Sequence, residues 1–213
     1  MSTPPSKPLK HIIWDWNGTL LDDLGLCLMI INSMLSARDL PPVSHNAYLE
    51  VFDFPVRDYY IRLGFDFSQE PFETVSTEFI TAYELGRPNC QLMAGAREIL
   101  EQAADRGLSQ SILSASKTTY LNKAVDEYGI QGHFSSVQGL NDHHAAGKLA
   151  LAQDFLENSD LDPSQTLLVG DTTHDGHIAG ELGLGCILIP NGHHSRSRLE
   201  EVGFPVLCEL FQM

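Results

Sequence analysis

Cations are scarce in this chain of 213 residues: 13 lysines and arginines stand against 28 aspartates and glutamates, a formal charge of -15. A surface of that sign repels nucleic acid and anionic membranes, which argues against both as partners. An anionic ligand would need a local positive site, from a metal or a few placed cations. Cysteine is sparse too. Cys27, Cys90, Cys186 and Cys208 are scattered with no CxxC spacing, so they predict reduced thiols in a cytoplasmic protein. No apolar run approaches the ~20 residues of a membrane span. Residues 1–10 hold three prolines and two lysines without an apolar stretch, and read as a polar tail rather than a signal peptide. There is no internal repeat, and oligomeric state is not legible.

What is present is a 43% apolar content, enough for a real core. Strand-like runs at 12–16, 111–114, 166–169 and 186–189 alternate with helical patterns at 94–106, 116–128, 145–156 and 174–182, three of them closed by Gly107, Gly129 and Gly183. That alternation predicts an α/β fold with a parallel sheet covered on both faces. Residues 21–91 break it. They read as successive helices (22–38, 44–52, 56–63, 68–85) with no convincing strand, and predict a small all-helical cap over a core made of 1–20 and 92–213.

The chemistry-bearing residues follow the strands. His11-Ile12-Ile13-Trp14-Asp15 is an apolar run ending in a carboxylate, followed by Trp16-Asn17-Gly18-Thr19-Leu20-Leu21 and a helix-cap-like acidic pair, Asp22-Asp23. Open α/β sheets place their ligands at such strand tips, and a carboxylate there can act as a nucleophile. Asp171 and Asp175, after Gly170, lie four apart at a helix start, where two hard oxygen ligands can converge on Mg²⁺. Asp171 reads equally well as a plain helix N-cap. Lys148 follows Gly147 at a helix start and can neutralise charge shared between Asp15 and a phosphoryl group, or be a solvated surface lysine. Ser114 ends a strand before a helix, so its hydroxyl and the Ala115 amide can grip a phosphoryl oxygen, unless Ser114 is a simple cap.

Together these four elements resemble the haloacid dehalogenase superfamily. Asp15-Trp16-Asn17-Gly18-Thr19-Leu20 matches its Asp-x-Asp-Gly-Thr-Leu motif, Ile112-Leu113-Ser114 its second, Lys148 its third, and Gly170-Asp171-x-x-x-Asp175 its fourth. The resemblance implies a Rossmann-like three-layer core, a helical cap of the phosphoglycolate phosphatase and β-phosphoglucomutase type, and hydrolysis of a small phosphorylated metabolite through an aspartyl-phosphate on Asp15. It further implies Mg²⁺ held by Asp15, the Asn17 carbonyl, Asp171 and Asp175, with Gly18 and Thr19 beside the substrate. One letter departs from it. Asn17 stands where the family's phosphatases carry the aspartate that protonates the leaving group and activates water. An amide cannot carry that proton, so a weak or silent phosphoryl-binding protein is the alternative. The dehalogenase branch works without metal, which Asp171 and Asp175 oppose. The phosphonate branch needs a cap lysine, and residues 21–91 contain none. His174, His193 and His194 are conceivable replacements for the missing acid. For substrate choice, Arg57 is the first candidate to hold a distal anion and Arg62 the second. Tyr59 and Tyr60 read as cap core.

Overall fold

The structure is a computed structural model that describes residues 7–140 and 147–208. In chain order, β1 (His11–Trp14) leads into a short β2 (Leu21–Asp22) and four helices, α1 (Leu24–Ser36), α2 (His45–Val51), α3 (Val56–Arg62) and α4 (Phe72–Gly86). Next come β3 (Gln91–Leu92), α5 (Ala96–Asp105), β4 (Ser109–Lys117), α6 (Thr118–Glu127) and β5 (Ser136–Leu140). The chain continues with α7 (Lys148–Glu157), β6 (Thr166–Gly170), α8 (Thr173–Leu182), β7 (Gly185–Leu188) and α9 (Arg196–Glu201).

Five strands form one parallel sheet in the order β5-β4-β1-β6-β7. Central β1 is buried along its whole length, as a strand covered on both faces must be. Its side chains alternate between two apolar layers. Ile12 and Trp14 pack with Leu100, Leu121 and Val125 from α5 and α6, and Ile13 packs with Ala152, Ile178 and Leu199 from α7, α8 and α9. Each such side chain contributes roughly 1.5–3 kcal/mol by burial. Trp14 lies opposite Ile112 of β4 and Val169 of β6, so the loops after β1 and β6 open side by side.

The helical insertion has an apolar cluster of its own, built on Ile31, Leu35, Tyr48, Tyr59, Tyr60 and Val75. At its base β2 and β3 pair antiparallel, Leu21 opposite Leu92. No helix among the described residues is long and apolar enough to cross a membrane.

The structure corrects the sequence reading in three places. The second strand runs Ser109–Lys117 and its helix starts at Thr118. Ser114 and Ala115 are therefore not at a helix N-terminus. An irregularity between Leu113 and Lys117 lets β4 go on pairing with β5, to Lys117 opposite Leu140. β5, Ser-Val-Gln-Gly-Leu, and the two-residue strands flanking the insertion are further differences from the sequence pattern, which shows no apolar run at any of them. Residues 145 and 146, at the start of the helix expected over 145–156, lie outside the described residues.

Candidate active site

Asp15 prolongs β1 by one hydrogen bond, its N–H donating to Val169 O at 2.9 Å. The chain then turns sharply: the N–H groups of Leu20 and Leu21 both reach Trp16 O, at 3.0 and 2.9 Å. Gly18 takes φ +72°, and a Cβ there would stand 2.3 Å from Asp171 Oδ2. At Gly192 it would stand 2.1 Å from the same oxygen. Both glycines thus let the Asp171 carboxylate lie against backbone. It accepts the His193 N–H at 2.6 Å and the Thr19 hydroxyl at 2.9 Å.

Thr172, not Asp171, caps α8, forming a reciprocal capping box with Asp175. That leaves Asp171 free for the site and fixes Asp175, whose Oδ2 accepts from Thr172 N and Oγ1 at 3.1 and 2.6 Å. Lys148, the first residue of α7, is buried rather than solvated. Its Nζ donates to Asp15 Oδ1 at 2.5 Å and Asp175 Oδ1 at 2.6 Å. One oxygen each of Asp15, Asp171 and Asp175 lies within 4.8 Å of the others. Three buried carboxylates thus face one ammonium. Burial pushes the Asp15 carboxyl well up, with Asp175 and Asp171 adding to the shift and Lys148 opposing it. Burial also lifts Asp171, to about 6, against the pull of His193. At Asp175 burial acts the same way but is outweighed by Lys148, and its pKa falls. Such an under-compensated set of hard oxygens fits a divalent cation.

Asn17 is held on all sides. Its Nδ2 donates to Asp23 Oδ2 and to the Tyr83 hydroxyl oxygen, each at 2.7 Å, and its Oδ1 accepts from Ser116 Oγ at 2.8 Å. Asp23, which reads in sequence as a helix cap, accepts no backbone N–H of α1 with its side chain, only the Cys27 thiol at 3.9 Å. Fully buried, it accepts from the Gly18 N–H at 3.0 Å and the Tyr83 hydroxyl at 2.6 Å, and sits 3.1 Å from His193 Nε2. Burial would raise the Asp23 pKa and lower that of His193. Their mutual attraction outweighs it, so Asp23 falls and His193 rises to about 9. Tyr48 stands 3.0 Å from the other ring nitrogen of His193. His194 accepts the Thr173 N–H, and burial drives it down to about 3. Burial also lowers His174.

A cavity of about 220 Å³ lies between sheet and insertion, with Asp15, Asn17, Ser114, Ala115, Lys148 and His193 among its walls. The structure does not bring Arg57 or Arg62 to it. Both are exposed, and Arg57 lies over the Phe67 ring, 5.2 Å from its centre. Tyr59 and Tyr60 are buried, Tyr59 in aromatic contact with Phe52. Asp23, Tyr83 and Ser116 escaped the sequence reading. The only trace of them was the second aspartate of the Asp22-Asp23 pair.

A strand-tip carboxylate, a buried lysine and two aspartates at the junction of β6 and α8, on a five-stranded parallel sheet, define an α/β protein with an acidic, metal-compatible centre. The haloacid dehalogenase-like hydrolase family model matches residues 12–189, and the chain belongs to that family. It is similar to a phosphoglycolate phosphatase of Synechococcus elongatus, 25% identical over 197 residues that cover 90% of this chain and 88% of the relative. It is also similar to an N-acetylmuramic acid 6-phosphate phosphatase of Pseudomonas putida, 26% identical over 78% of this chain and 76% of that one. Among solved structures, a haloacid dehalogenase-like family protein of Streptococcus pneumoniae superposes with a TM-score of 0.82 at 16% identity, covering 96% of both chains. A predicted phosphoglycolate phosphatase of Haemophilus somnus does so at 0.75 and 22%, again covering 96% of both. These likenesses show the fold.

Proposed function

We propose that this chain is a Mg²⁺-dependent phosphatase that hydrolyses a small phosphate monoester through an aspartyl-phosphate on Asp15. The observation that carries the reading is Lys148, buried and bonded to both Asp15 and Asp175 with Asp171 beside them. A protein that only needed to fold would not keep three carboxylates and an ammonium packed this way. Asp15, Asp171, Asp175 and the Asn17 carbonyl would hold the cation, which supplies charge neutralisation for the phosphoryl oxygens. Lys148 opposes the upward shift of the Asp15 carboxyl and orients it. Ser114 and Ala115 would flank the phosphoryl group, while Gly18 and Thr19 lie against Asp171 rather than lining the cavity. An Asp15 oxygen attacks phosphorus, and the ester oxygen leaves as the alcohol with a proton from water. Water then cleaves the aspartyl-phosphate, releasing phosphate and restoring Asp15. The relatives named for phosphoglycolate and for a sugar phosphate support the reaction type. Residues 21–91 act as the cap over a core of 1–20 and 92–213.

Asn17 cannot give a proton to the leaving group or take one from water. A slow enzyme on poor leaving groups follows, since such a group contributes a factor of ~10²–10⁴. The full engagement of the Asn17 amide also favours a second reading, a phosphoryl-binding protein with little turnover. Phosphate release from p-nitrophenyl phosphate with Mg²⁺ separates them. Turnover that vanishes in Asp15→Asn, by roughly 10⁴-fold or more, establishes the phosphatase. No turnover in the wild type, with phosphate still bound, establishes the other.

A further inference from the structure

We infer that the substrate is a phosphate monoester of an uncharged, apolar or aromatic alcohol rather than of a second anion. This inference rests on the phosphatase reading above. The cavity that begins at Asp15 and Lys148 is roofed by the insertion, and the roof is apolar: Ile31, Phe54, Tyr60, Phe72, Phe79 and Ile80 line it. None of the insertion's arginines does. Arg38 is taken up by Glu70 and Glu78 at 2.7 and 2.6 Å. Arg87 is tied to Glu84 and Glu127, and Arg57 and Arg62 face outward as described. The acidic groups on the insertion's side of the cavity are Asp23 and Glu84. They repel a distal carboxylate or second phosphate.

On the sheet side two of the three lining cations among the described residues are held by carboxylates. Lys148 serves Asp15 and Asp175, and His193 serves Asp23. Lys117 leans over the Tyr120 ring, its Nζ 5.9 Å from the ring centre. A carboxylate carried into this roof would lose its water and meet no cation there, with hydroxyls such as that of Tyr59 as its only replacement, which costs more than a phenyl ring gains. The reactive end accepts two negative charges and the far end accepts none. This departs from the substrates for which the relatives are named.

The test compares benzyl phosphate with phosphoglycolate, two alkyl esters that differ at the far end in a phenyl ring against a carboxylate. We expect kcat/KM to favour benzyl phosphate by about tenfold or more. Ile80→Arg, on the half-buried roof, should narrow or reverse that preference, and Lys117→Ala should leave it unchanged. Binding of benzylphosphonate and phosphonoacetate to the Mg²⁺-loaded protein, by calorimetry, reads the same preference without turnover. Equal or tighter binding of phosphonoacetate overturns the inference, as does binding of neither, or a loss of phosphoglycolate turnover confined to Lys117→Ala. If neither these esters nor p-nitrophenyl phosphate is hydrolysed but benzylphosphonate binds more tightly, the phosphatase reading falls and the preference of the cavity stands.

Discussion

Asn17 and Asp23 constrain each other. Asp23 places an ionised oxygen 2.7 Å from the Asn17 amide nitrogen, so an aspartate at 17 would set two carboxylates in hydrogen-bond contact in a buried site. Asn17→Asp alone should therefore lower stability by about 2 kcal/mol. Asp23→Asn alone should also destabilise, because His193 loses its counter-ion. Combined, they should cost less than their sum, a coupling that a double-mutant cycle in urea reads directly. The double variant should also hydrolyse benzyl phosphate faster than wild type while changing p-nitrophenyl phosphate little, since only the poorer leaving group needs a proton. Additive losses would show that the two side chains act independently. Asp171 offers a second test. Without metal its carboxyl is crowded by burial and by Asp175, so Asp171→Asn should raise the Tm of the metal-free protein. The same change should weaken the thermal response to Mg²⁺ at least tenfold in concentration. A lower Tm without metal would mean that the hydrogen bonds from Thr19 and His193 matter more than the charge.

At the scale of elements, β1 and β4 are joined by more than their ladder. His11 Nε2 lies 2.8 Å from Ser111 Oγ, and the ring is only 2% exposed. Burial lowers its pKa from 6.5 to about 4, so the neutral ring is the folded form. Its contribution is complete above pH 6.5 and is lost as pH falls from there toward 4, because the unfolded chain binds the proton first. The shift corresponds to about 3 kcal/mol. His11→Gln should remove one loss of stability on acidification over that interval in a pH series of urea midpoints, leaving the shares due to His194 and His174 and the opposing one due to Asp171. An unchanged slope would place the titration elsewhere. The same elements show what the sequence could disclose. β1 and β6 are legible because burial on both faces demands unbroken apolar runs, and the site residues Asp15, Asp171 and Asp175 follow from strand tips. β5 escapes because it is an edge strand whose first three residues are only half-buried, so no apolar run was required. The true extent of β4 escapes because Ser114-Ala115-Ser116-Lys117 carries no strand pattern. Asp23 escapes because an aspartate before a helix is an ordinary cap, and only the tertiary approach of Tyr83 and His193 gives it another use. Arg57 misled because its position in sequence says nothing about which side of α3 faces the cavity.

At the scale of the molecule, the insertion carries one apolar cluster and the sheet carries two, with polar contacts crossing between them. Asn17 reaches Tyr83, Tyr48 reaches His193, and α9 contributes a further clasp. There the Arg198 guanidinium donates to Leu49 O and Phe52 O at 3.0 and 2.7 Å and to the Asp53 carboxylate at 3.1 Å. Leu49 and Phe52 lie at the C-terminal end of α2, where carbonyls lack helical partners and a cation is favoured. Phe52 also lines the cavity, so Arg198 fixes part of the roof from outside. Arg198→Ala should cost about 1–2 kcal/mol and speed hydrogen exchange at residues 49–56 more than anywhere in β1 or β6. Activity should then respond asymmetrically. The catalytic carboxylates and Lys148 are untouched, so kcat with a substrate as small as p-nitrophenyl phosphate should change less than twofold. KM for benzyl phosphate should rise several-fold, because the roof that receives the ring is no longer held. Equal falls in kcat on both substrates, with exchange unchanged at 49–56, would mean that α9 supports the metal loop through His193 and His194 rather than the roof.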